Sequence, residues 1–291
     1  MTAITLPYPF DLVFMQRALI ASLAVGVFAP MIGTFLVQKR MSLIGDGIGH
    51  IAFAGVGAGI LAGGATGHLA LPMALAFAVV GALGVEWLRA KRKASGDLAL
   101  ALFFYSGIAL GVVLVSVGGG LNASVLTYLF GQPLTVNATE VRVIVALGVV
   151  IVAVMLAFRR VLFSVVTDEE WSRVAGLPVG FANTVLAVVT ACAVVAAMKV
   201  VGILLIAAMM VLPVASGQVI ARSFRGTMRW AVAISVASVI AGLAASRIWG
   251  LAPGGTIVLI TAGVFAVLAL AKRGSAPRLP LPVDVPGERE A

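Results

Sequence analysis

Nine apolar runs, each close to the ~20 residues a helix needs to cross a bilayer, dominate this chain. They fall at residues 11–37, 42–65, 71–88, 98–117, 141–158, 179–198, 200–220, 230–248 and 256–271. Only short connections remain between them, so no sizeable soluble domain fits. Composition agrees. Of 291 residues, 62% are hydrophobic and 11% are Asp, Glu, Lys or Arg, against about 25% charged in soluble domains. So few charges cannot cover a water-exposed surface. A disordered chain, a coiled coil and a disulfide-rich secreted scaffold are excluded for the same reason. The expected fold is all-α and polytopic, a transmembrane domain over residues 1–271 with a Pro- and charge-rich tail, 272–291, expected to be disordered. Only Lys199 separates the sixth and seventh runs. Eight spans, or a re-entrant segment near residues 118–137, are therefore also compatible. No basic residue precedes the first run, so residues 1–10 do not resemble a cleaved signal and the first span is expected to stay.

The formal charge is +9. In a membrane chain such an excess first means orientation rather than nucleic-acid binding. Lys39, Arg40, Arg89, Lys91, Arg92, Lys93, Arg159, Arg160, Arg173, Arg222, Arg225, Arg229, Lys272, Arg273, Arg278 and Arg289 all fall on one side. These are 16 of the 20 Lys and Arg. The positive-inside rule makes that side cytoplasmic, with the N-terminus outside and the C-terminus inside. A bacterial cytoplasmic (inner) membrane is expected, with the lipid bilayer as one partner and no nucleic acid.

Ionisable groups within apolar spans are costly and need a reason. Asp46 and His50 stand out. At i, i+4 they share one face of the Gly-rich second span, about 6 Å apart along the axis. A carboxylate and an imidazole suit a divalent metal such as zinc, manganese or iron. One helix offers only two ligands, so a closed site needs others from neighbouring helices, a second subunit or water. A buried Asp–His hydrogen bond or a proton relay are the alternatives. Glu86, less than one turn from Arg89, suggests a snorkelling salt bridge. His68 is a lone His in a short external loop. Lys199 and Arg247 suit helix-end anchors. Gly55, Gly59 and Gly63 line one helix face and permit close packing in lipid. Met209 and Met210 fit a core better than a thioether site. Pro30 and Pro213 are expected to kink their helices. Cys192, alone in an apolar run, has no partner.

The loop at residues 159–178 reads differently. Thr167 is the expected N-cap, with Glu170 three residues on as in a capping box. Asp168, Glu169 and Glu170 suit a helix N-terminus, and Gly176 with Pro178 end it. With Trp171, Arg173 and Leu177 this makes a short amphipathic helix outside the membrane, suited to docking a cytoplasmic protein. No G-x-x-x-x-G-K-[ST] loop is present, so the chain is not itself an ATPase; it lacks H-E-x-x-H as well, against a metalloprotease.

Four stretches in order resemble the permease subunits of metal-type ABC importers, the zinc, manganese and iron group. Gln38-Lys39-Arg40-Met41-Ser42-Leu43-Ile44-Gly45-Asp46, continuing to His50, resembles the family's R-M-S-L-x-G-D-x-x-x-H segment. Tyr128-Leu129-Phe130-Gly131 follows. The third is the loop from Asp168 to Gly176-Leu177-Pro178, similar to the family's coupling helix. The fourth joins Lys199-Val200-Val201-Gly202-Ile203-Leu204-Leu205, Leu212-Pro213-Val214-Ala215 and Pro253-Gly254-Gly255-Thr256. This chain has Gly49 where the family usually has Ser, Phe53-Ala54-Gly55 where it often has Leu-Pro-Gly, and Lys199 in place of Arg.

The resemblance implies an ABC importer permease fold and a non-enzymatic subunit with no intrinsic cofactor. The partners implied are a second permease copy in a homodimer, two cytoplasmic ABC ATPase subunits and an extracytoplasmic metal-binding protein. Asp168, Glu169, Glu170, Trp171, Arg173, Gly176 and Leu177 are then ATPase-coupling residues. Asp46 and His50 handle the metal, zinc first, with manganese or iron open. Gly55, Gly59, Lys199, Met209 and Pro213 are gating or packing candidates. A permease for a metal chelate, siderophore or corrinoid shares the architecture without needing Asp46 and His50. An ATP-independent secondary transporter or membrane enzyme would lack the ATPase partner.

Overall fold

The computed structural model describes residues 7–63, 69–91, 96–120 and 123–274, and these are helical with no strand among them. Twelve α-helices follow one another: α1 (Val13–Gln38), α2 (Ile44–Gly63), α3 (Ala70–Ala90), α4 (Gly96–Val117), α5 (Ala123–Phe130), α6 (Ala138–Ala157), α7 (Arg159–Thr167), α8 (Glu169–Val174), α9 (Val179–Met198), α10 (Ile203–Ile220), α11 (Phe224–Trp249) and α12 (Pro253–Gly274). Nine of them, all but α5, α7 and α8, are long and apolar enough to cross a membrane. That agrees with the nine runs in the sequence. Among its described residues, the segment suggested as re-entrant holds α5 and a 3-10 turn at Pro133–Thr135. Eight residues rise about 12 Å, too short to add a tenth span. His68 and the tail from 275 onward lie outside the described residues.

The helices sort by burial. α1, α2 and α9 form the centre, while α3, α4, α6 and α12 keep long apolar faces outward, as lipid-facing helices do. α2 lies between α3 and α4 and also touches α9 and α10; α1 packs on α6, α10 and α11. Phe28, Ile32 and Phe35 of α1, Ile48 of α2, Met198 of α9 and Ile206, Met209 and Met210 of α10 are fully buried. Pro30 and Pro213 sit inside continuous helices.

α2 is thin because its neighbours press on its backbone. A Cβ on Gly55 would lie 2.6 Å from the Met73 carbonyl oxygen, and one on Gly59 2.5 Å from the Ala70 Cα. These are backbone atoms and cannot turn away. Gly59→Val is therefore expected to destabilise the chain by about 1–3 kcal/mol through overpacking. Gly63→Ala should be tolerated, since its Cβ would meet nothing closer than 3.4 Å. Detergent thermal unfolding of the two variants checks the contrast, and equal melting temperatures would refute it.

Helix ends depart from the sequence expectations where capping decides. α11 starts at Phe224 rather than Trp230, because the Ser223 side chain accepts from the Gly226 amide. α10 starts at Ile203, because Gly202 turns the chain with φ +92° after the Lys199 cap. Thr167 is not the N-cap of the loop helix. It ends α7, donating its hydroxyl to the Phe163 carbonyl, and Asp168 caps α8 by accepting from the Trp171 amide at 2.8 Å. α7 runs through Thr167, so its hydroxyl is used inside that helix and the cap falls one residue later. The reciprocal capping box lies elsewhere, between Asn137 and Glu140 at the start of α6.

Candidate functional site

Asp46 sits in the first turn of α2, where the helix dipole favours its charge, and His50 follows one turn later. His50 Nε2 and Asp46 Oδ1 are 3.6 Å apart, both side chains partly exposed. That is too long for a hydrogen bond. A cation about 2.1 Å from each atom would subtend about 120° between them, within reach of tetrahedral coordination. The Phe104 ring meets the imidazole edge to face at 4.6 Å. Gly107 lets α4 approach so closely that its Cβ would touch the His50 carbonyl carbon at 3.1 Å. α4 thus walls one side of the pair. Among the described residues no third His, Cys, Asp or Glu joins it. The described residues therefore offer at most half of a four-coordinate sphere at this point.

The other candidates separate into two groups. Gly55 and Gly59 hold α3 against α2, and Met209, Met210 and Pro213 are buried core. A Cβ on Gly33 would collide with the Met210 carbonyl, so this region packs α10 on α1. Lys199 is not paired with Asp46 or His50. Its amine pairs with Glu140 and lies 5.6 Å from the Tyr128 ring. Arg247 pairs with Asp11 at 3.2 Å.

α8 stands at the end of the bundle that carries most of the basic residues. It closes in a Schellman arrangement, with the Leu177 amide on the Ser172 carbonyl and the Gly176 amide on the Arg173 carbonyl. Gly176 has φ +75°. Ser172 is buried against Ser164 of α7, while Trp171 is 63% and Val174 90% exposed. Glu170 is exposed, Arg173 pairs with Glu169 at 3.4 Å, and Leu177 is half-buried.

Sequence reasoning missed how α8 is fastened. Arg89 at the end of α3 donates to Glu86 at 3.0 Å, as the spacing suggested, and also to Glu169 at 3.2 Å. Lys39, just past α1, lies 4.0 Å from Glu169 and donates to Asn183 of α9. Burial pushes the Lys39 amine down to about 8, and the Arg89 charge adds to that. At neutral pH it still carries its proton, so Glu169 stays tied to both α1 and α3. The one hint in the sequence was Asn183, a polar side chain within an apolar span.

Residues 11–272 match the ABC 3 transport family. The high-affinity zinc uptake system membrane protein ZnuB of Haemophilus influenzae is 29% identical, over 91% of this chain and 98% of its own length. The manganese transport system membrane protein MntC of Halalkalibacterium halodurans is also 29% identical, over 87% of this chain and 86% of its own. Among solved structures, a chain of PsaBC from Streptococcus pneumoniae in complex with a Fab superposes with TM-score 0.77 at 28% identity, covering 89% of this chain and 91% of that one. Nine membrane-length helices among the described residues, the ordered motifs and a match over residues 11–272 agree: this chain belongs to the ABC 3 transport family.

Proposed function

We propose that this protein is the membrane permease subunit of an ATP-driven divalent-metal importer, and that Asp46 and His50 handle the metal in transit. The observation that carries the reading is the pair itself: two ligand groups one turn apart in a central helix, close enough to share an ion. Because the described residues supply only two such ligands, two copies would complete the coordination, with water filling any remainder. The positive-inside rule sets the basic end and α8 in the cytoplasm, with the N-terminus outside and the C-terminus inside. Two ABC ATPase subunits would bind the exposed Trp171 and Val174 there, and an extracytoplasmic binding protein would deliver metal at the other end. ATP turnover would move α8 and switch the pathway between outward- and inward-open states. Holding the ion by few ligands keeps release fast. A bacterial cytoplasmic membrane is the setting.

Zinc and manganese stand level as cargo. The imidazole favours zinc, the carboxylate accepts manganese equally well, and relatives carry both names. A metal-chelate permease would leave the pair without a task. The test is uptake of radiolabelled zinc into proteoliposomes holding the permease and its ATPase, with manganese, iron and chelated zinc as competitors. We expect ATP-dependent uptake of free ion, blocked at least about 10-fold better by its preferred metal than by chelate. Transport of the chelate alone, or uptake without ATP, would overturn the reading.

A further inference from the structure

At the basic end of the bundle, on helices apart from the metal pair and from α8, α1, α6, α7 and α11 enclose a cavity of about 430 Å³. Its rim carries four arginines, Arg159 and Arg160 at the N-terminus of α7 and Arg225 and Arg229 in the first two turns of α11. None of the four has a carboxylate partner among the described residues. Their charges add to the positive ends of two helix dipoles, with Ser223 capping α11. The floor is apolar: Met31 and Phe35 of α1, Met155 of α6 and Met228 of α11. Leu156 and Phe163 in the wall are 51% and 44% exposed. Four unpaired cations over an apolar slot, at the level where helices leave the membrane, match one chemistry. It is an anion joined to a hydrocarbon chain.

We propose that this cavity binds an anionic phospholipid of the leaflet on that side, its phosphate held by the arginines and an acyl chain lying on Met31, Met155 and Met228. An acidic protein would find the charge but leave the apolar floor unused, and a free phosphate would leave it empty.

The full chain is purified in detergent and offered cardiolipin, phosphatidylglycerol or phosphatidylcholine, with retained lipid read by native mass spectrometry. Retention of the two anionic lipids is expected to exceed that of phosphatidylcholine at least about 10-fold. If each arginine that contacts the phosphate contributes about fivefold, the worth of one basic residue at an anionic surface, Arg160→Gln with Arg225→Gln lowers retention about 25-fold. Lys91→Gln with Lys272→Gln removes the same charge from the same end and leaves retention unchanged. Equal loss in both double variants, or loss in neither, overturns the proposal. So does displacement of the lipid by inorganic phosphate. If the arginine variant keeps its lipid and loses its ATPase partner, the arginines belong to a protein interface instead. A photoreactive group in the acyl chain of phosphatidylglycerol tests the unmodified protein: labelling is expected within residues 31–35, 155–163 and 224–229. Labelling only elsewhere refutes the site.

Discussion

Asp46→Ala and His50→Ala are each expected to cut metal uptake below about one-hundredth of the unmodified protein, while the complex still assembles. The size follows from ligand arithmetic. Loss of a group that only orients a metal ligand costs 10–100-fold, and loss of a ligand costs more. If Asp46 and His50 are the ligands, with no third His, Cys, Asp or Glu beside them among the described residues, each removal takes half of what those residues supply. Neither change should unfold the bundle. Both side chains are partly exposed, they are not hydrogen-bonded to each other, and Ala is the best helix former. Asp46→Asn keeps the shape and removes the charge, so it separates ligation from packing and should fail nearly as badly. The measurement is initial-rate uptake in proteoliposomes, normalised to assembled complex by size-exclusion chromatography. Normal uptake by both Ala variants would sink the assignment of these residues. Chelate import with both variants intact would favour the other permease class.

The pair was readable because it broke a rule. An acid and a His in an otherwise apolar span are conspicuous, and the i, i+4 spacing alone brings them onto one face. The nine spans were readable for a related reason, since a bilayer demands long continuous apolar helices. Their ends were less so. The Ser223 cap adds six residues to α11, and the positive φ of Gly202 removes three from α10, neither of which alters hydropathy. The fastening of α8 was hidden altogether. Arg89 and Glu169 are 80 positions apart, Lys39 and Asn183 144 apart, and no local pattern links them.

Two of the four family-like stretches, the second and the fourth, gain a physical cause in the structure. Gly131, Gly202 and Gly254 meet at the end of the bundle opposite α8. A Cβ on Gly131 would lie 2.3 Å from the Val201 carbonyl carbon, one on Gly202 2.4 Å from that of Phe130, and one on Gly254 2.8 Å from the Val201 oxygen. The Gln132 amide bonds the Lys199 carbonyl across the same crossing at 3.0 Å. Motifs far apart in sequence therefore serve one backbone contact rather than three separate tasks. That accounts for their small residues without giving any of them a role in metal chemistry.

Val174→Asp and Trp171→Ala are expected to release the ATPase and abolish uptake with no loss of permease stability. Both side chains stand in solvent, so the isolated chain hardly feels their change; exposed substitutions are usually within ±0.5 kcal/mol. In an assembled complex they would sit at the centre of the contact, where losing one anchor costs about 2–4 kcal/mol, or roughly 30- to 1000-fold in affinity. Co-purification of the ATPase measures this directly, and retention of the partner by both variants would remove α8 from the interface. Glu169→Gln separates docking from transmission. Its carboxylate does not face outward like Trp171 but binds Arg89 of α3 and attracts Lys39 beyond α1. α3 in turn rests on α2 at Gly55 and Gly59, on the helix that carries Asp46 and His50. If movement of α8 reaches the metal pair along these contacts, Glu169→Gln keeps its ATPase and its ATP hydrolysis but moves fewer metal ions per ATP. An unchanged ratio would mean that α8 acts through α7 and α9 instead.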